Sequence, residues 1–213
     1  GCFPKLCRLH VGDKAPEVVN CIITAPKNTA VQYDVLPKVG MLKVNKVLHS
    51  AILYPGDYGS IPQTYGEDGS PIDCICLSVF PLPLGCVAQL RVVALLDLED
   101  QNGPNSKIVA VPNEEPRLLE YQDLDSIPIH VQKECAEFFN TYRNLEGSDS
   151  WARVTGWRPK KAALERIIAG RERFFAFGTR IEDLEDREQL VEARLASLEQ
   201  KEKLLDQRLA KLE

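Results

Sequence analysis

The sequence has few of the features that mark a membrane protein or a nucleic-acid-binding protein. No apolar run approaches the ~18 residues that a membrane-spanning helix requires. The formal net charge is -5, and no basic run offsets it, which argues against a general nucleic-acid binder. These shortages predict a soluble protein with no transmembrane segment and no nucleic-acid partner.

The cysteine pattern argues against a disulfide framework. Seven cysteines are an odd number, and most lie within apolar segments, which predicts buried thiols in a reducing compartment. Cys74 and Cys76 share one face of a predicted strand because side chains alternate along a strand. No histidine or cysteine pair at metal-ligand spacing accompanies them, so we interpret them as core residues rather than zinc ligands.

The start of the sequence bears on localisation. The chain begins at Gly1 and its one methionine is Met41. We expect either that a leader has been removed or that the sequence starts at the first ordered residue. The first alternative slightly favours the plastid stroma or the mitochondrial matrix over the cytoplasm.

Three regions follow from the residue patterns. Residues 1–17 show no clear period and are predicted to form an extended arm. Residues 18–111 alternate short β-branched runs with turn residues, which predicts a small barrel or sandwich. Helical spacing then predicts a helix over 128–145, and after the strand WARVTGW a second helix opens at Pro159 and ends near Gly178. The predicted strands are VVNCIIT, VQYDV, MLKVNKV, CICLSVF, CVAQLRVVALLDL and KIVAVP.

Residues 179–213 fall into strict heptads. Every g position is basic and every e position is acidic, so g-to-e pairs attract across a parallel two-stranded coil. Glu188 and Glu202 at a positions would destabilise a homodimer. A heteromeric partner is therefore an alternative to the homodimer. A solvated helix lying on its own domain is the alternative, although its charges would be spaced three or four apart. The apolar core positions are Ile181, Leu184, Val191, Leu195, Leu198, Leu205, Leu209 and Leu212.

The stretch YPGDYGSIPQTYGEDGSPID, residues 54–73, carries the densest chemistry. Asp68 and Asp73 lie close together, with Ser70 between them. Neighbouring carboxylates are typical of a site for Mg²⁺, which prefers oxygen ligands. Gly, Pro, Asp and Ser also dominate turns for local reasons, and the spacing alone favours a plain polar turn.

The stretch resembles the signature of family I soluble inorganic pyrophosphatases, D-G-D-P-x-D, which reads DGSPID here. The likeness covers about Val18 to Ile168 and includes APKNTAVQYDV, GMLKVNKVL, ILYPGDYGSIPQT, SKIVAVP, FFNTYRNLEG and VTGW in the family's order. The resemblance implies an α+β fold, with a five-stranded OB-like β-barrel and two flanking helices over 18–178. The coiled coil of 179–213 is an addition to that pattern.

The resemblance implies a metal side of the site. Family enzymes use Mg²⁺ ions and an aspartate base to direct a water at pyrophosphate. Asp68, Asp73 and Asp100 stand at metal-ligand positions. Asn105 stands at a fourth and offers no charge, so Mg²⁺ is expected to bind weakly or not at all. Ser70 occupies the general-base position and cannot accept the proton near neutral pH. Two further acidic positions of the family read Thr24 and Asp34.

The resemblance also implies a phosphate side. Tyr58, Lys107 and Tyr142 match the family's phosphate-binding residues. Lys46 replaces an arginine and Arg143 replaces a lysine, swaps that are not neutral at bidentate sites. Gln32 replaces a lysine and removes a charge.

Three functions remain open at this point. The joint changes at the base, two ligand positions and one phosphate lysine favour a pseudoenzyme, a structural or interaction subunit that associates through its coil. The alternative is a slow Mg²⁺-dependent inorganic diphosphatase that converts pyrophosphate to two phosphates. The third is a module that binds phosphate or pyrophosphate without catalysis.

Overall fold

The structure, a computed structural model of the chain, describes residues 9–36 and 41–177. The chain divides into two compact units, Gly1–Arg173 and Phe174–Glu213. Of the second unit, residues 174–177 are described, and they are helical. Residues 1–8 of the predicted arm and the whole predicted coiled coil lie outside the described residues, so both stay predictions.

The described part of the chain contains β-strands, α-helices and 3-10 turns. The strands are β1 Val18–Ala25, β2 Val31–Leu36, β3 Met41–Val47, β4 Asp57–Ile61, β5 Ile72–Cys76, β6 Val87–Asp100, β7 Gly103–Pro104, β8 Lys107–Pro112 and β9 Ala152–Pro159. The α-helices are α1 Ile129–Thr141 and α2 at 160–177, and two 3-10 turns span Pro116–Leu118 and Leu124–Ser126.

Five strands close into a barrel. Neighbouring strands follow the order β1-β4-β5-β8-β6, and β6 pairs again with β1 to complete the ring. The β5–β8 pair is parallel, and the other barrel pairs are antiparallel. β6 is long enough to pair with β9 and β7 as well. The five-stranded barrel with two flanking helices, expected from the sequence, is confirmed.

Strand β4 was missed by the sequence analysis, which took its residues as part of a turn-rich stretch. DYGSI pairs with both β1 and β5. Gly59 is required there, because a Cβ at this position would lie 2.1 Å from the carbonyl oxygen of Ile22. Glycine within a strand permits this close approach of two backbones. The glycine that suggested a turn therefore marks a tightly packed barrel strand.

The two helices pack on different parts of the barrel. α1 presents Phe138 and Phe139 to one core cluster, where the Phe138 ring lies 4.8 Å from the Tyr54 ring. α2 buries Ala163 and Ile167 in the other cluster. α1 ends at Thr141, four residues before the predicted end, and Tyr142 to Leu145 form turns. These contacts bury aromatic and aliphatic surface, which drives folding.

α2 also holds the loop between β4 and β5. The Tyr65 amide donates to the Gly170 carbonyl at 2.9 Å, and Arg173 Nη1 donates to the Tyr65 carbonyl at 3.1 Å. A Cβ on Gly170 would lie 2.4 Å from Ile72 Cδ1, so helix and loop pack closely. Pro159 ends β9 rather than lying in the helix, which begins at residue 160.

The hairpin β2–β3 is a separate two-stranded sheet with two unlike faces. Its polar side chains include Gln32, Asp34 and Lys46, and these line the cleft described below. Val44 and Val47 are exposed. Alternation of side chains along each strand, adjusted by a bulge at Gln32/Tyr33, brings the polar set to one side.

The buried-thiol prediction is confirmed within the described residues. Cys21, Cys74, Cys76 and Cys135 are buried and free, and Cys86 is half-buried and free. Cys74 and Cys76 share one core cluster, as the same-face prediction requires. No helix in the described ranges is both long and apolar enough to cross a membrane.

Candidate active site

Two adjoining cavities that share wall residues form one cleft. They have volumes of about 310 and 320 Å³ and share Gln32, Asn45, Asp73 and Asn105 in their walls. We call the first the acidic half; it contains Asp34, Asp68, Ser70 and Asp73. We call the second the basic half; it contains Lys46, Tyr58, Lys107, Tyr142 and Arg143. A larger groove of about 590 Å³, beside α1, contains none of the predicted site residues.

A tight turn presents Asp68 and Ser70 to the acidic half. Gly69 has a φ of +77°, a backbone conformation that glycine adopts without strain. The Ser70 amide donates to Asp68 Oδ1 at 3.0 Å, which closes the turn through the aspartate side chain. The predicted turn is therefore confirmed, and it also directs a carboxylate and a hydroxyl into the cleft.

A buried lysine joins the two halves. The side chain of Lys107 is 3% exposed, and its Nζ lies 2.5 Å from Asp73 Oδ2 and 2.6 Å from Asn105 Oδ1. Asn105 Nδ2 in turn donates to Asp100 Oδ2 at 3.0 Å. An amide can donate to one carboxylate while accepting from an ammonium group, which an aspartate cannot do. Asn105 is thus a connecting residue in a charged network.

Asp100 lies behind the cleft wall rather than in it. It is 5% exposed; its Oδ1 accepts from the Asn102 amide at 2.8 Å, and its Oδ2 lies 3.5 Å from Arg143 Nη1. The cleft-lining residues include Asp68 and Asp73 but not Asp100. Two of the three predicted metal aspartates therefore face the cleft in this structure, and the third holds Asn105 and Arg143.

The cations of the basic half are held by fixed partners. Arg143 Nε donates to the Tyr142 hydroxyl at 2.8 Å, and Nη1 donates to Gln101 Oε1 at 2.9 Å. Lys46 forms an ion pair with Glu146 and lies 4.7 Å from the centre of the Tyr142 ring. Cations fixed in this way are oriented before an anion arrives, which lowers the entropic cost of binding.

The tyrosines of the basic half remain neutral donors. Burial and the Asp73 carboxylate raise the pKa of Tyr58 well above its ordinary value. Burial raises the pKa of Tyr142, although Arg143 opposes the effect. A protonated phenol can donate a hydrogen bond to a phosphate oxygen. Both hydroxyls therefore suit the phosphate-binding role that the resemblance implies.

The three substituted positions behave differently from one another. Asp34 faces the acidic half, where its Oδ1 accepts from Asn45 Nδ2 at 2.7 Å. Gln32 lines both halves and accepts from the Tyr54 hydroxyl at 3.1 Å. Thr24 is buried and donates to the Tyr58 carbonyl at 3.4 Å, and neither half of the cleft includes it in its wall.

Four residues of this site were missed from the sequence. Glu146 holds Lys46, Gln101 holds Arg143, Asn45 holds Asp34, and Arg166 on α2 reaches the acidic half. Glu146 follows Tyr142 and Arg143 within FFNTYRNLEG. Its place beside two predicted site residues could therefore have identified it from the sequence. Arg166 gave none, because only the packing of α2 against the β4–β5 loop brings it to the cleft.

Comparison with known proteins decides the family. The profile described as inorganic pyrophosphatase matches residues 21–174. The chain belongs to this family. A relative named inorganic pyrophosphatase, from Thermus thermophilus, is 46% identical over 162 residues, which cover 76% of this chain and 93% of the relative. Soluble inorganic pyrophosphatase 1 of Arabidopsis thaliana is 32% identical over 159 residues, 75% of this chain and 73% of the relative.

Solved structures agree. The crystal structure of inorganic pyrophosphatase from Thermus thermophilus has a TM-score of 0.76 with this chain, and the match covers 78% of this chain and 96% of that one. The structure of an inorganic pyrophosphatase from Coxiella burnetii is 32% identical and has a TM-score of 0.74 with this chain. The match covers 78% of this chain and 99% of that one.

The pseudoenzyme hypothesis is wrong in the light of these relatives. Proteins 32–46% identical to this chain are named inorganic pyrophosphatases, which supports an active diphosphatase. The hypothesis took the joint change of four positions as a loss of the site's chemistry. The structure shows instead that Thr24 lies outside the cleft wall and that Asn105 bridges two charged groups.

The family implies a Mg²⁺-dependent enzyme, and the acidic half fits that ion. Among the described residues, no three histidine, cysteine, aspartate or glutamate side chains converge as a ready-made metal cage. Mg²⁺ rarely uses such cages; it binds through one or two carboxylates, waters and substrate phosphates. Asp68 and Asp73 supply those carboxylates, and the neighbouring side chains offer further oxygens. The relatives give no support to the expectation of weak or absent Mg²⁺ binding.

Proposed function

We propose that this chain hydrolyses inorganic pyrophosphate to two phosphates with Mg²⁺. The observation that carries the proposal is the cleft itself, in which three cations and two neutral phenols adjoin a pocket walled by carboxylate and hydroxyl oxygens. Pyrophosphate needs both halves, since cations bind its oxygens and carboxylates hold the metal. The T. thermophilus relative supports the same reaction through its name and its 46% identity.

The basic half binds and orients the substrate. Lys46, Lys107 and Arg143 supply positive charge, and Tyr58 and Tyr142 supply hydroxyl donors. Donors fixed where negative charge develops stabilise a transition state without reorganising at the moment of reaction. Gln101 and Glu146 act through Arg143 and Lys46, so they are positioning residues.

The acidic half holds the metal and receives the proton. Asp68 and Asp73 are the cleft-facing carboxylates that would hold Mg²⁺. Bound Mg²⁺ would neutralise phosphate charge and lower the pKa of an attacking water. Ser70 can hydrogen-bond that water but cannot take its proton near neutral pH. Asp34 and Asp68 each use Oδ1 in a hydrogen bond, which leaves their Oδ2 atoms as candidate acceptors for that proton.

The test is phosphate release from pyrophosphate at saturating Mg²⁺ by the purified full chain. We expect turnover that EDTA abolishes. R143Q should lower kcat/KM about ten- to a hundredfold, because a hydrogen bond between charged groups contributes roughly 1.5–3 kcal/mol. K161Q, at an exposed lysine on α2, is the matched control and should leave turnover unchanged. Equal rates for R143Q and K161Q would contradict the placement of substrate in the basic half.

We further propose that residues 179–213 associate as a parallel coiled coil with a second chain. The heptads and the segregated e and g charges support this. Light scattering on the full chain should give a mass above one protomer, and L195N combined with L198N should reduce it. Q200E, at an outward f position, is the control. A wild-type chain that is monomeric in solution would contradict the homodimer, and the proposed partner would then be a different chain.

A further inference from the structure

Arg166 brings a cation to the acidic half of the cleft from a different element. It lies on α2 and shares a cavity wall with Asp68, Ser70 and Asp73. The contacts of Tyr65 with Gly170 and Arg173 hold α2 against the loop that carries Asp68. The packing of α2 against this loop therefore fixes the point at which the Arg166 side chain leaves the helix.

Arg166 lacks the hydrogen-bond and ion-pair partners that Arg91 and Arg158 have, although Arg91 and Arg171 share its unpartnered Nε. The Arg166 Nε is buried and has no hydrogen bond, and no carboxylate within the described residues lies within ion-pair distance of it. Arg158 by contrast pairs with Asp97 at 2.6 Å, and the guanidinium of Arg91 donates to three carbonyls. Arg166 is half-buried, and the carboxylates of Glu67, Asp97 and Asp68 attract it only from beyond ion-pair distance. A phosphate group in the cleft would give the guanidinium a direct partner.

The cleft also lacks a cation that the family pattern places at Gln32. Gln32 lines both halves of the cleft, and Arg166 lines one of the same walls. Ser70 removes a negative charge from that wall, which reduces the attraction that would otherwise tie the guanidinium to a carboxylate. A planar guanidinium can also bind two phosphate oxygens at once, which lysine cannot.

We propose that Arg166 binds a phosphate group of the substrate or product from the acidic side of the cleft. It adds a fourth cation to Lys46, Lys107 and Arg143, which line the basic half. The inference rests on the proposed function, because it places phosphate in this cleft. It assigns the contact to a residue on α2, outside the motifs that identified the family.

The test is calorimetric binding of inorganic phosphate and of methylenediphosphonate, which resists hydrolysis, to the full chain. We expect R166Q to bind both about ten- to a hundredfold more weakly than the wild type, since charged hydrogen bonds are lost. R166K keeps the charge without the planar fork and should fall between the two. R171Q is the matched control, because Arg171 also has an unpartnered Nε on α2 but does not line the cleft.

Each outcome decides the proposal. Wild-type affinity in R166Q, or an equal loss in R171Q, would overturn it. If thermal melting shows that R166Q does not fold, R166K decides: a several-fold loss supports the proposal and unchanged affinity overturns it. Steady-state hydrolysis is measured separately, so the role of Arg166 and the proposed activity can fail independently of each other. A wild type that hydrolyses pyrophosphate while R166Q keeps full affinity refutes only the role of Arg166, and binding through Arg166 without hydrolysis refutes only the activity.

Discussion

The two halves of the cleft differ in how their side chains are held. In the basic half every cation has a fixed partner: Glu146 for Lys46, Asp73 for Lys107, and Gln101 for Arg143. In the acidic half Asp34 and Asp68 each have one engaged oxygen, and Ser70 replaces the family's aspartate. The cations of the basic half are therefore positioned by the fold itself, whereas the acidic half keeps carboxylate oxygens without a fixed partner among the described residues.

The largest expected effect comes from restoring a carboxylate in the acidic half. S70D should raise kcat, by at most the roughly 10²–10⁴-fold that a general base contributes, because Asp34 and Asp68 already offer acceptors. S70A is the control and should leave the rate close to that of the wild type, because the serine hydroxyl is not the base. The measurement is kcat at saturating pyrophosphate and Mg²⁺. A rate loss in S70A comparable to the expected gain in S70D would show that Ser70 itself carries the proton transfer.

Removing the lysine that joins the halves should destabilise the protein. K107M leaves the Asp73 carboxylate without its ammonium partner and the Asn105 carbonyl without its donor. Because Asp73 retains some access to water, the free energy of unfolding should fall by about 2–4 kcal/mol, at or below the usual cost of breaking a buried pair. Urea unfolding without Mg²⁺ measures it, with K161M as the exposed control. A fall below about 1 kcal/mol would mean that the network is not a stabilising one.

Charge at the connecting amide should link stability to Mg²⁺. N105D places a carboxylate where an amide now donates to Asp100, so like charges should destabilise the protein in EDTA by about 1–2 kcal/mol. Because a ligand that binds only the folded state stabilises it, Mg²⁺ should raise the melting temperature of N105D more than that of the wild type. N113D, away from the cleft, serves as the control. An equal Mg²⁺-induced rise in the melting temperature of the wild type, N105D and N113D would show that residue 105 does not contribute to metal binding.

The smallest expected effect concerns pH in the basic half. Burial lowers the pKa of Lys46 below 10.5, and Glu146 partly restores it. E146Q should therefore move the alkaline limb of kcat/KM to lower pH, since the neutral form of Lys46 binds phosphate poorly. S150A removes only the other hydrogen bond to Glu146 and should shift the limb less. An unshifted limb in E146Q would mean that Lys46 does not titrate with activity.

Glu146 also contributes to stability in acid. Burial alone would raise its pKa, but hydrogen bonds from Lys46 and Ser150 outweigh it and hold the pKa below 4.5. The contribution is fully present above pH 4.5 and is lost as the pH falls through the lowered pKa. In E146Q that acid dependence should be reduced, which melting temperatures between about pH 3 and pH 6 can show.

The sequence predicted the barrel and most of the cleft, because strand runs and family motifs are local patterns. It missed β4, since Gly59 signals a turn when the neighbouring backbone of Ile22 is unknown. Asp100 as a metal ligand stays a prediction; in this structure its carboxylate contacts Asn105 and Arg143. Arg166 was beyond reach, because its position depends on how α2 packs against the β4–β5 loop.

The pseudoenzyme hypothesis failed for a similar reason, because the sequence does not show what surrounds each substituted residue. The hypothesis rested on the joint change of Ser70, Asn105, Thr24 and Gln32, while the fold gives each of them a different surrounding. Thr24 lies away from the cleft wall, and Asn105 connects Lys107 to Asp100. Substitutions in a charged network act together, so their effects do not add.

The most direct test of this account is to follow pyrophosphate by phosphorus NMR in the presence of the full wild-type chain. With Mg²⁺, the account predicts that the pyrophosphate signal is replaced by inorganic phosphate at a rate proportional to protein concentration, and that EDTA stops the conversion. A pyrophosphate signal that persists unchanged at saturating Mg²⁺, with the protein shown to be folded, would contradict the proposed activity.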